Sequence, residues 1–115
     1  MKRLITLLLL IGIVGCNSSN DSSNKQATIE YNNGMKHVAR LNWDAAIASY
    51  TEAIRLRPEF VDAYLNRGNA YLKKGEHDKA IADYSEAIRI KPDYAKAHFN
   101  RANVHMEKKN YDKAI

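Results

Sequence analysis

Several absences narrow this 115-residue chain before any motif is considered. It has one cysteine, Cys16, so no intramolecular disulfide can staple it. Only two prolines, Pro58 and Pro92, interrupt it, which leaves room for long helices. No apolar run approaches the roughly twenty residues that a bilayer-crossing helix requires. There is no glycine-rich phosphate loop and no serine or cysteine nucleophile motif, so no enzymatic activity, cofactor or small-molecule substrate is expected. A basic stripe interleaved with aromatics is also missing. The net charge of +5 is scattered among acidic neighbours, Lys73 and Lys74 beside Glu76 and Lys79 beside Asp83, as on a solvated helix face. Nucleic acid is therefore not an expected partner.

What is present begins at the N-terminus. Lys2 and Arg3 precede the eleven residues Leu4–Val14, broken in apolar character only by Thr6 and Gly12. This has the length of a secretory h-region. Without Lys2 and Arg3 the chain has 16 basic and 13 acidic residues, or +3. Ile13-Val14-Gly15-Cys16 resembles the lipobox of bacterial lipoproteins. The resemblance implies a signal peptide over residues 1–15, cleavage before Cys16, diacylglyceryl transfer to its thiol and acylation of the new amino group. A thiolate suits thioether formation, and a small residue before it gives a peptidase access. Two or three acyl chains, at about 0.8 kcal/mol per buried CH₂, anchor firmly where one does so marginally. The alternatives are an ordinary free thiol after a plain signal peptide, or a buried helix. Asn17, rather than Asp, follows the cysteine; in a Gram-negative cell that resembles the pattern sent on to the outer membrane. The resemblance thus implies an exported protein, lipid-anchored at the bacterial cell membrane or outer membrane. Residues 17–26 contain no apolar side chain to offset backbone ordering, so residues 16–26 are expected to form a lipidated cysteine and flexible tether.

Beyond residue 26 the chain repeats itself every 34 residues. Pro58 and Pro92 keep that interval, as do Gly34 and Gly68, the series Asp44, Asp78 and Asp112, the series Ala46, Ala80 and Ala114, and the series Ile47, Ile81 and Ile115. Aligning 27–60 with 61–94 gives 12 identities in 34, and 61–81 with 95–115 gives 9 in 21. Each unit reads as two helices. Tyr64, Gly68 and Tyr71 share one face with Ala63 and Ala70. Gly75 supplies the turn, Asp78 starts the next helix with its carboxylate toward free N–H groups, and Pro92 stops it. Ala80, Ile81, Tyr84, Ala87 and Ile88 form the buried stripe of that second helix.

These residues resemble the tetratricopeptide repeat (TPR) family. Its pattern is met by Tyr64, Gly68, Tyr71, Ala80, Tyr84, Ala87 and Pro92, with Arg67 in place of the leucine often found before the glycine. The first unit keeps Gly34, Ala46, Tyr50, Ala53 and Pro58 but has Glu30 and His37 at the two aromatic positions. The third has His98, Ala102 and His105, then Tyr111 and Ala114. The resemblance implies an all-α fold, antiparallel helix-pair repeats forming a short right-handed superhelix, with units at 27–60, 61–94 and an incomplete 95–115. The last unit stops inside its expected second helix, which reads as a fragment of a longer repeat protein or as a final helix acting as a cap.

In this family the first helix of each unit lines a concave groove, and three rows recur at 34: Tyr31, Leu65 and Phe99; Met35, Asn69 and Asn103; Val38, Leu72 and Met106. Within a unit they are spaced by four, three and seven, on one helical face. They predict a mostly apolar groove with asparagine amides for an extended peptide backbone; the competing reading is that Leu65, Leu72 and Phe99 pack between units. The family's familiar clamp for a C-terminal carboxylate falls on Tyr31, Met35, Asn66, Lys96 and Asn100. Only Asn66 and Lys96 match, so that mode of recognition is not expected. His37, His98 and His105 occupy positions where the repeat buries aromatics and are expected to pack rather than bind metal. The function expected is a membrane-anchored, non-enzymatic scaffold for other proteins, with envelope-complex assembly as one setting. The alternatives are the leading part of a longer exported enzyme, and a module for peptidoglycan or another glycan.

Overall fold

A computed structural model describes residues 2–114, with side chains described for 20–110. Five helices follow one another: α1 (Lys2–Ala39), α2 (Trp43–Leu56), α3 (Val61–Lys73), α4 (His77–Ile90) and α5 (Ala95–Ala114). There is no strand among the described residues. Successive helices pack as antiparallel neighbours, α1 with α2 and α3 with α4, while α2–α3 and α4–α5 join one pair to the next. Among the described residues no helix is long and apolar enough to cross a membrane. The thiol of Cys16 and the side chains of Tyr111, Asp112, Ala114 and Ile115 lie outside the described residues.

Local chemistry sets the boundaries. Asn42 caps α2, its Oδ1 accepting from the Ala45 N–H at 3.2 Å. The turns within the two pairs pass through the left-handed region at equivalent positions, Leu41 with φ 58° and Gly75 with φ 79°. The turns between pairs are built alike. Pro58 and Pro92 occupy them, and the Phe60 and Tyr94 amides donate back to the carbonyls of Arg57 and Lys91 at 3.0 Å. The Arg57 guanidinium lies 3.4 Å from the Phe60 ring centroid, and the Lys91 ammonium 5.1 Å from that of Tyr94.

Asp78 does not cap α4 by a hydrogen bond. It sits in the first turn, where its charge favours the helix N-terminus, and its carboxylate accepts from Lys108 Nζ at 2.5 Å. Asp44 makes the same link to Lys74, also 2.5 Å, so each aspartate ties its helix to the first helix of the following unit.

Two expectations are corrected. The flexible tether does not describe residues 20–26, because α1 runs through them unbroken. Thr28 Oγ1 donates to the Asn24 carbonyl at 3.1 Å and Gln26 Nε2 to Glu30 Oε1 at 3.1 Å. The packed region begins at Ala27, which is fully buried. Once that docked segment nucleates the helix, extending it adds one backbone bond per residue, and an apolar side chain is not needed. The second correction concerns unit three, whose second helix does not form. Helix α5 continues past Lys109, the position equivalent to Leu41 and Gly75. A left-handed lysine costs on the order of 1–2 kcal/mol, a strain that continuing the helix avoids.

The core is made of small residues holding two tyrosines. Tyr50 and Tyr84 are the largest fully buried side chains besides Val104. Each lies against a glycine of the partner helix: a Cβ on Gly34 would stand 2.5 Å from Tyr50 Cε1, and one on Gly68 2.8 Å from Tyr84 Cε1. Burial pushes both phenols up to about 12. One ion pair is nearly enclosed. Arg67 Nε and Nη2 donate to the two Asp83 carboxylate oxygens at 2.8 and 2.7 Å, and Nη1 reaches Thr51 Oγ1 at 3.2 Å. Burial raises the Asp83 carboxyl above its ordinary value, an effect the Arg67 fork opposes. Arg101 repeats the outer link, donating to Ser85 Oγ at 3.1 Å. The residue that departs from the family's leucine therefore ties three helices together.

Candidate groove on the first helices

The three predicted rows separate once the helices are stacked. Leu65 is only 6% exposed and packs against Ala97 and Val104 of α5. Tyr31 has the equivalent role in the preceding unit, packing on Phe60 with ring centroids 4.9 Å apart and beside Ala63. Its phenol accepts from Asn66 Nδ2 at 2.8 Å. Tyr31 and Leu65 of the first row therefore form seams between units. Leu72 lies half-buried against the same core as Leu65. Phe99 and Met106, on α5, stand 67% and 65% exposed.

Met35, Val38 and Asn69 do come together. With Trp43, Tyr50, Asn66, Ala70 and Lys73 they line a cavity of about 220 Å³ between α1, α2 and α3. Met35, half exposed, contributes to its wall, and Tyr50 reaches it from the core. The amides are ordered by neighbours. Asn69 Oδ1 accepts from the Tyr84 hydroxyl at 2.5 Å and from Asn100 Nδ2 at 3.1 Å, which leaves the Asn69 amino group as its donor. Asn66 uses its amino group on Tyr31 and keeps its carbonyl as an acceptor. Asn103 lies exposed one unit further on.

Sequence reasoning chose the rows but missed Trp43, Ala70 and Lys73, and weighed Asn66 only as a member of a carboxylate clamp. A signal for the amides was there: Asn32, Asn66 and Asn100 recur at 34. Trp43 belongs to α2, so no count along the first helices alone would reach it. Three of the clamp positions are engaged internally, Tyr31 with Asn66 and Asn100 with Asn69. His98 and His105 are exposed instead of packed, with no helix covering them among the described residues, and His98 Nε2 lies 2.7 Å from the Pro92 carbonyl. Among the described residues no three metal-capable side chains gather.

These elements define a helical-repeat solenoid, a short right-handed superhelix of antiparallel helix pairs. The family model described as TPR repeat matches residues 37–75 and 68–109, and the chain belongs to that family. No curated protein matches it. Among solved structures it is similar to the TPR2B domain of yeast Sti1 in an Hsp70 complex, with 30% identity, 78% of this chain and 72% of that one covered, and a TM-score of 0.72. MamA is similar at 33% identity over 80% of this chain and 50% of that one, TM-score 0.72. The second TPR domain of Spaghetti, bound to the HSP90 peptide SRMEEVD, aligns at 25% identity over 84% of this chain and 89% of that one, TM-score 0.77.

Proposed function

We propose that this protein is a lipid-anchored, non-catalytic adaptor that holds an extended segment of another protein in the groove of its first helices, at the surface of a bacterial envelope membrane. The observation that carries the binding half is the cavity between α1, α2 and α3, where Met35, Val38 and Asn69 meet. It combines an apolar wall with amide groups that can exchange hydrogen bonds with a peptide backbone. Similar TPR domains solved in an Hsp70 complex or with an HSP90 peptide support that reading. The anchoring half rests on Ile13-Val14-Gly15-Cys16 after a short apolar run. Two or more acyl chains on Cys16 hold the domain at the membrane, where an adaptor would serve assembly of an envelope complex.

A pull-down from envelope extract with the full chain tests the binding half. The variant to compare is Met35→Glu, because Met35 is half exposed, whereas Leu65→Glu would charge a buried seam. Loss of the captured protein in Met35→Glu, with helical content unchanged, supports the groove; unchanged capture overturns it. For the anchor, Cys16→Ala should release the protein from membranes or leave an uncleaved precursor, and should abolish acyl-chain labelling. Normal processing and labelling in that variant would exclude lipidation at Cys16.

A further inference from the structure

The groove carries one charge whose role the fold does not explain. Helix α3 ends in two lysines that behave differently. Lys74 is tied to Asp44 at 2.5 Å and lies 3.9 Å from Glu76. Lys73, its neighbour, has no ion-pair partner among the described residues, is exposed, and lines the cavity. It is the only charged residue of that lining, and no carboxylate faces it there. An unpaired ammonium at the edge of an apolar recess leaves the protein with a charge complement to be supplied from outside.

Resting on the groove reading above, we propose that this cavity selects a peptide carrying an aliphatic side chain and, two residues away, an aspartate or glutamate. The aliphatic side chain fills the recess bounded by Met35, Val38, Trp43 and Ala70. The Asn69 amino group and the Asn66 carbonyl bond the intervening backbone, since their other amide atoms are already engaged within the protein. Lys73 takes the carboxylate. The spacing follows from geometry. Ala70, in the wall of the recess, and Lys73 are three residues apart on α3, about 4.5 Å along the helix, and the long lysine side chain reaches further. An extended peptide rises about 3.3 Å per residue, and residues i and i+2 project from the same side within that reach. A side-chain carboxylate is the fitting source, because three of the five positions that would take a chain end hold the neutral Tyr31, Met35 and Asn100, which leaves Lys96 as their single cation. Lys73 lies seven residues beyond Asn66 on the same face, apart from those clamp positions.

The test is an array of short serine–glycine peptides, acetylated and amidated, each carrying one leucine and one glutamate at separations from adjacent to four apart, in both orders. The full chain in detergent micelles is applied to it. The expected result is strongest retention when leucine and glutamate are two apart, with about fivefold weaker binding when glutamine replaces glutamate. In Lys73→Met that glutamate preference disappears while the glutamine peptide binds as before; in Lys73→Glu lysine peptides are preferred. Circular dichroism verifies that both variants keep their helices. Retention of leucine peptides regardless of the acidic residue, or an acidic preference that survives Lys73→Met, overturns the proposal and leaves the groove standing. Binding only to peptides with a free C-terminus overturns the side-chain assignment. If no peptide is retained while the pull-down still captures a protein through Met35, the selectivity falls alone. If neither binds, both readings fall.

Discussion

Gly68 lies directly beneath the ring of Tyr84, and a methyl group placed on it would approach Tyr84 Cε1 to 2.8 Å. The pair Gly34 and Tyr50 repeats the relation 34 residues earlier with less room, at 2.5 Å. These contacts let two helices of a unit come close enough to bury a tyrosine completely. Unit three has Ala102 at the same place, exposed, where no second helix covers it.

Glycine to alanine at either position sets two effects against each other. Alanine gains about 1 kcal/mol of helix propensity, while overpacking costs about 1–3 kcal/mol. The tyrosine cannot retreat from a fully buried site, so packing wins. Gly68→Ala should lose about 1 kcal/mol and Gly34→Ala more, as read from urea midpoints at constant m-value. An increase in stability for Gly34→Ala would show that the ring moves freely.

The Arg67–Asp83 pair makes a second prediction. Replacing Arg67 by leucine, the residue the family often carries there, leaves Asp83 buried without its fork and should cost about 3–5 kcal/mol. Changing both residues to apolar ones of similar volume should recover most of that loss. A double-mutant cycle on thermal or chemical unfolding measures the coupling. A value near zero would mean that Asp83 finds water when Arg67 is gone.

Alkaline pH should unfold the protein through Tyr50 and Tyr84. Both phenols are raised by burial from about 10 to about 12, so the protonated form is favoured in the folded state. Their stabilisation is complete below pH 10 and is lost as pH rises from 10 through 12, on the order of 3 kcal/mol for each tyrosine at about 1.4 kcal/mol per pKa unit. Tyrosinate absorbance and circular dichroism recorded together should change in one step. Tyrosinate forming for all residues near pH 10 with the helices intact would contradict this.

The intra-unit turns offer a stabilising substitution. Leu41 holds a positive φ at 71% exposure, so burial does not offset the strain. Leu41→Gly should raise stability by about 0.5–1 kcal/mol, the left-handed cost relieved less the added chain entropy. Gly75 has no atom within 4 Å of an added Cβ, so Gly75→Ala tests the backbone alone and should cost about 1 kcal/mol. Thermal midpoints of the two variants should move in opposite directions.

Much of the fold was legible because a 34-residue period fixes register without any knowledge of contacts. Spacing alone puts Tyr50, Tyr84, Ala46, Ala80, Ala53 and Ala87 in the core, and all six are buried. The candidate site was less completely legible. Its rows share a helical face, but such a face spans both a seam and a cavity wall, and only stacking assigns Leu65 to one and Met35 to the other. Trp43 enters the cavity from a different helix, and the freedom of Lys73 depends on Asp44 turning to Lys74 instead.

By itself, then, the sequence determined the repeat, the helix pairs and the lipobox resemblance, because local propensity and a fixed interval are properties of a one-dimensional string. The tertiary structure decided the rest. It carried α1 through the polar residues 20–26, since a docked nucleus makes helix extension favourable. It carried α5 on as a helix past Lys109, the place equivalent to the turns at Leu41 and Gly75. And it left one lysine without an ion pair among the described residues, beside an apolar recess, a fact that arises only from how three helices share their side chains.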